Sequence, residues 1–233
     1  MNVLIVHAHP EPESFTSALM KAAIDVLSAA GHNVEITDLY AQHFNPVASA
    51  ADFLVPQNAK YLVYALEQRH GLETGTLSLD IIKEIEKVRR CDLLLLTFPI
   101  YWFAAPAILK GWIDRVFVSG AFYGGRRIYE HGGMKGKKAL VCATLGGRQA
   151  MVCDGGIHGD LEMMLRPLLQ GTLGYVGFDV LKPHFSYHVP YVSLQERSVM
   201  LDQWRSELTS LEQRPVLQMP KIGDFDSTLS RRL

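Results

Sequence analysis

The chain has 233 residues, 48% hydrophobic and 20% charged, which suits one large domain able to bury a core. Its 23 basic and 24 acidic side chains leave a net charge of −1, excluding the broad basic footprint of a nucleic-acid or anionic-membrane binder. Cys91, Cys142 and Cys153, an odd number, make neither a disulfide framework nor a spaced zinc site. They read as reduced structural thiols, so a cytoplasmic protein without a metal centre is expected. Residues 1–8 are apolar but follow no basic segment, so no targeting signal is expected. Leu93 to Leu109 runs seventeen residues without a charge. A membrane span needs about 20 apolar residues, and Pro99 and Pro106 interrupt this run, so no membrane insertion is expected.

Short β-rich apolar runs alternate with segments of helical period, the pattern of an α/β fold with a parallel sheet. The strand candidates are Asn2–Ala8, Asn33–Asp38, Asp92–Phe98, Lys138–Thr144 and Phe178–Pro183. Between the first two, Ser14 to Ala30 is amphipathic and stops at Gly31. A long connection, Asn45–Leu79, follows the second strand, with its own short helix near Ala59–Arg69. Pro106 opens a helix in which Ile108/Leu109, Trp112/Ile113 and Val116/Phe117 recur every four residues. Gly124–Lys138 is a basic, Gly-rich loop. Asp160–Gly174 predicts a helix bent at Pro167. Leu201, Trp204, Leu208 and Leu211 mark the last helix, and an irregular tail, residues 214–233, follows a domain of residues 1–213. Five strands so connected predict a doubly wound sheet of order 2-1-3-4-5, whose ligands bind beyond the carboxyl ends of the strands.

Those strand ends carry the candidate site. After the first strand comes His7-Ala-His9, then Ser14-Phe15-Thr16, with no G-x-G-x-x-G. Hydroxyls and free amides at a helix start suit a phosphate, although an ordinary N-cap accounts for the same residues. After the third strand, Tyr101-Trp102-Phe103 places three consecutive aromatics on a loop, where they cannot all be core. They suit a planar ligand or a subunit contact. After the fourth, Thr144-Leu145-Gly146-Gly147 lets backbone amides approach a group that becomes electron-rich on reduction. His158 sits between glycines ahead of the next helix.

Together these residues resemble the FAD-dependent NAD(P)H:quinone oxidoreductase (DT-diaphorase) family. The likeness runs from about Val3 to Gln213 and rests on several motifs taken together. They are His9 with Ser14-Phe15; Asp38-Leu39-Tyr40 with Phe44-Asn45-Pro46; Phe98-Pro99 with Trp102-Phe103; and Pro106 to Trp112 with Arg115-Val116-Phe117. Thr144 with Gly146-Gly147, Gly156 to Asp160, and Gly177-Phe178 complete them. The resemblance implies a flavodoxin-like domain with a small C-terminal elaboration, and a homodimer with active sites at its interface. It implies two-electron transfer from NAD(P)H to a quinone by a ping-pong mechanism.

By that likeness His9, Ser14, Phe15, Thr16 and Ala18 line the FAD phosphates. Pro99, Ile100, Tyr101, Trp102, Phe103, Thr144, Leu145, Gly146 and Gly147 hold the ring system, and Arg197 lies near the adenine end. Trp102, Phe103, Tyr123 and the catalytic candidate His158 shape the substrate pocket. FMN in place of FAD is the alternative cofactor. Azo or nitro aromatics are alternative oxidants, and an ancillary subunit of a membrane ion transporter is the alternative role, with Arg126–Lys138 as its docking face.

The chain departs from the family pattern at three places. Val152 stands where the family has a Tyr six residues before the His, Gly125 replaces a second pocket Tyr, and Tyr101 replaces a Gln. The departures predict a wider or differently shaped pocket in which His158 acts with less help.

Overall fold

The computed structural model describes residues 1–231. Its central sheet is parallel, in the order β2-β1-β3-β4-β5, with β6 also on β4. The strands are β1 (Asn2–His7), β2 (Asn33–Asp38), β3 (Leu93–Pro99), β4 (Lys138–Thr144), β5 (Asp179–Val180) and β6 (His184–Ser186). The predicted order is the observed one. The fifth position, expected as a single strand through Pro183, is instead divided. β5 pairs with the start of β4 and β6 with its end, because Pro183 has no amide to give the ladder. The bridge Leu181↔Val216, with Lys182 N–H donating to Pro215 O and Leu217 N–H to Val180 O, lays the C-terminal segment along β5.

The central strands β1, β3 and β4 are buried on both faces, which is why they read as continuous apolar runs. Side chains alternate between the faces. Val3, Ile5, Leu93, Leu95, Leu140 and Cys142 pack with α1 (Phe15–Ala29) and with Trp204 and Leu208 of the last helix, Leu194–Thr209. Trp204 Nε1 donates to Leu19 O at 3.0 Å, tying that helix to α1. On the other face Leu4, Val6, Leu94, Leu96, Val141 and Ala143 pack with Ile81, Ile85, Val88, Leu109 and Trp112.

The connection after β2 differs from expectation in two ways. Its helix, α2, spans Tyr64–Thr74 and so starts later. The Asn58 side chain accepts from the amides of Lys60 and Tyr61, and the buried Glu67 carboxylate takes those of Gln57 and Asn58. Residues 57–61 are therefore wound as a loop. A further helix, α3 (Leu79–Arg90), precedes β3. Its buried stripe Ile81, Ile85, Val88 has the 4-3 spacing of an amphipathic helix.

α4 (Ala107–Val116) anchors this connection. A Cβ on Gly111 would stand 2.1 Å from Pro46 O, so only glycine admits the chain there. Arg115 bonds Asn45 O, Asp80 and the buried Asp52, which also accepts from the Tyr64 hydroxyl. After β4 the chain forms α5 (Leu161–Met164) and α6 (Arg166–Leu168), which continue into a π turn, Leu169–Gly174. Pro167 lies in this broken helix, as expected. The last helix is α7. No helix among the described residues is long and apolar enough to cross a membrane.

Candidate functional site

The loops after β1, β3 and β4 converge on one cleft of about 350 Å³. On the β1 side it is lined by His9, Ser14, Phe15 and Thr16, with Glu13 beside them. Ser14 caps α1, its hydroxyl accepting from Ser17 N at 3.1 Å. The Phe15 and Thr16 amides have no preceding turn to accept them, which leaves a positive helix end at the cleft. Ala18 donates its amide to Ser14 O and does not line the cleft. His9 Nδ1 accepts from Glu11 N at 2.9 Å, and burial lowers the pKa of this histidine.

Pro99, Ile100 and Tyr101 form the β3 wall. Beyond them the backbone reverses in a tight turn in which Tyr101 and Ala104 exchange both amide hydrogen bonds at 3.0 Å. Its central residues, Trp102 and Phe103, have φ of 50° and 56°, a left-handed pair that side-chain-bearing residues adopt at a cost of roughly 1–3 kcal/mol each. The turn throws the aromatics outward: Trp102 is 96% exposed. Phe103 faces a separate apolar cavity of about 210 Å³, with Met164, Leu165 and Leu168. The aromatics are thus outside the core, as the loop reading required, but only Tyr101 lines the main cleft.

The β4 wall is Thr144, Leu145 and Gly146. Thr144 Oγ1 meets Thr16 Oγ1 at 2.7 Å, closing the cleft floor. Gly147 is not part of the lining, and its carbonyl accepts from His188 N. The remaining side is Val189, Pro190 and Arg197. Val189 and Pro190 were not foreseen, since that segment carries neither apolar period nor polar signal. Arg197 was foreseen, and its Nε is buried without a hydrogen-bond partner. A buried donor left unpaired is costly, and its residue lines the cleft.

His158 lies in an exposed loop that ends at Asp160, the cap of α5, rather than at the helix start itself. Its ring centroid is 5.2 Å from that of Phe103. A Cβ on Gly156 would stand 2.7 Å from Ala150 O, so this loop too requires glycine. Val152 is 4% exposed and part of the apolar core. Gly125, at φ 55°, stands in open space. Within one chain Tyr123 does not reach the cleft. It lines another cavity of about 430 Å³ with Tyr64 and Tyr175.

The basic loop is largely spent on its own chain. Arg126 bonds the carbonyls of Asp226 and Ser227, Arg127 that of Gly120, and Lys137 those of Arg89 and Cys91. Cys91 and Cys142 are buried, and burial pushes both thiols up, which disqualifies them as nucleophiles.

Comparison with known proteins agrees with this geometry. A family model described as flavodoxin-like fold matches residues 1–208. The chain is 41% identical over 210 residues to ribosyldihydronicotinamide dehydrogenase (quinone) of Mus musculus, covering 90% of this chain and 91% of that protein. It is 37% identical over 224 residues to NAD(P)H dehydrogenase (quinone) 1 of Rattus norvegicus, covering 96% and 82%. A solved structure from Klebsiella pneumoniae, assigned as a quinone reductase, matches with a TM-score of 0.95 at 33% identity, over 100% of this chain and 94% of that one.

Proposed function

The chain belongs to the flavodoxin-like NAD(P)H:quinone oxidoreductase family, and we propose that it is an NAD(P)H dehydrogenase (quinone) holding FAD in the three-loop cleft. The observation that carries this reading is that Arg197, whose Nε has no hydrogen-bond partner, lines the same cleft as the Ser14-capped start of α1. A cation with a free donor and a positive helix end suit an anionic, phosphate-bearing cofactor. Arg197, matching the family position near the adenine, favours FAD over FMN.

When bound, FAD would supply a two-electron redox centre between NAD(P)H and a quinone. The chain's own residues do the rest. Ser14, with the Phe15 and Thr16 amides, binds the phosphate end. Pro99, Ile100, Tyr101, Leu145 and Gly146 confine the ring system and exclude water. Trp102 and Phe103 offer planar surface to the nicotinamide and the quinone in turn, which is the ping-pong order. His158, beside Phe103, holds or delivers a proton at the pocket mouth.

The site is completed by a second copy of the chain. Trp102 is almost wholly exposed and Tyr123 lies off the cleft in its own chain. Both serve the pocket if the partner protomer brings its Tyr123 against Phe103. The unpaired, mostly buried thiols suit the cytoplasm.

The test is a visible absorption spectrum of the purified protein, with the released chromophore identified by mass. The expected result is an FAD-bearing protein bleached by NAD(P)H and restored by a quinone. A colourless protein that takes up neither FAD nor FMN would refute the reading.

A further inference from the structure

Behind the Ser14 cap lies a chain of buried polar groups. His7 is 1% exposed and sits at the end of β1. Its Nδ1 is 2.8 Å from Thr97 Oγ1 and its Nε2 is 3.1 Å from Ser17 Oγ. Ser17 is also 1% exposed. Its hydroxyl donates to Glu11 O at 3.0 Å and stands 2.9 Å from Ser14 Oγ.

A hydroxyl has one proton and two lone pairs, and this restricts every direction in the chain. With its proton on Glu11 O, Ser17 can only accept from His7 and from Ser14. His7 therefore carries its proton on Nε2 and accepts from Thr97 through Nδ1. Burial lowers the His7 pKa to about 4, which keeps the ring in this neutral form at neutral pH. Ser14 in turn directs its own proton inward.

The consequence appears when an anion enters the cleft. For Ser14 to donate to it, the Ser14 proton must leave Ser17. That exchange leaves the buried Ser17 oxygen one lone pair short of a donor but not bare, because His7 still donates to it. Without His7, Ser17 would depend on the Ser14 proton alone, and the ligand would compete with a buried acceptor.

We infer that His7 is a positioning residue for the phosphate end of the cofactor: its donation to Ser17 frees the Ser14 hydroxyl for a phosphate oxygen. The inference rests on the flavin reading of the cleft.

The test measures binding of FMN, FAD and riboflavin to the flavin-free full-length chain by fluorescence titration. Replacement of His7 by Leu is expected to weaken FMN and FAD about tenfold, while riboflavin, which has no phosphate, changes less than about twofold. His7→Gln, which keeps an N–H at the reach of Nε2, should stay within about threefold of the native chain. In a Ser14→Ala background His7→Leu should have no further effect on FMN. Equal losses for riboflavin and FMN, or a full His7→Leu effect without Ser14, would overturn the assignment and leave the cofactor reading standing. A native chain that binds none of the three flavins would overturn both.

Discussion

The hydroxyls of Thr16 and Thr144 meet at 2.7 Å across a sequence separation of 128 residues. Thr16 is 2% exposed and Thr144 5%, so each is the other's means of satisfaction, and together they join the β1 loop to the β4 loop beneath the cleft. Removing one hydroxyl strands the other. Thr16→Val and Thr144→Val should each cost about 1–3 kcal/mol. The double variant should lose clearly less than the sum, as read by denaturant unfolding of all four proteins. Strict additivity would mean the pair holds nothing together.

His158 and Val152 should separate rate from stability. His158 is exposed, so His158→Ala should leave the melting temperature unchanged while slowing NAD(P)H-dependent flavin reduction by about tenfold or more. Val152 is a core residue. Val152→Ala should lower unfolding free energy by roughly 1–2 kcal/mol with little change in rate. Stopped-flow reduction and thermal melts on both variants decide the matter. Equal slowing by both would remove His158 from the mechanism.

The clamp on the long connection should be worth far more than a surface pair of the same charges. Arg115 and Asp52 are 3% and 2% exposed at their side chains, with 2.8 Å between their charged atoms. Arg115→Met should destabilise by about 3–5 kcal/mol, since it leaves a buried carboxylate uncompensated. Breaking the exposed Lys110–Asp114 pair with Lys110→Ala should cost at most about 0.5 kcal/mol. Urea midpoints compare the two directly.

Acid should weaken the fold through His7. Its folded pKa is lowered to about 4, first by burial and against the attraction of Asp38, with His9 adding to the depression. The unfolded histidine titrates near its ordinary 6.5. Between these values the unfolded chain binds a proton that the folded chain refuses, so stability falls as pH drops from about 6.5 to about 4 and then levels. The separation corresponds to roughly 3 kcal/mol. His7→Gln should flatten that part of the pH–stability curve measured by denaturant unfolding. An unchanged slope would show that other groups carry it.

Much of the architecture was legible because each signal was local. β2 and β4 have their predicted bounds: β4 is a buried, nearly continuous apolar run, whereas β2, at the sheet edge and largely unburied, is marked by its β-branched Val34, Ile36 and Thr37. Ser14 was legible as a cap from its place before an amphipathic stretch. The late start of α2 was not, because it depends on Glu67 reaching back to the Gln57 and Asn58 amides. α3 carries the apolar spacing of a helix but borders the long connection, where the reading assigned a single short helix. The interruption between β5 and β6 follows from Pro183, whose meaning depends on which strand lies beside it.

The sequence by itself determined the α/β class, the strand order and the three loops that meet at the cleft. Period and end signals are short-range properties of the chain, and a doubly wound sheet brings its strand ends together. Only the tertiary structure decided which side chains of those loops face inward. It turned Trp102 and Phe103 out through a left-handed turn, moved Gly147 and Ala18 off the cleft, buried Val152, and set Tyr123 apart. It also supplied Val189 and Pro190, and it aligned Thr97, His7, Ser17 and Ser14 into one hydrogen-bonded line. Such choices are made by contacts between residues far apart in the chain, where burial and hydrogen-bond satisfaction outweigh local preference.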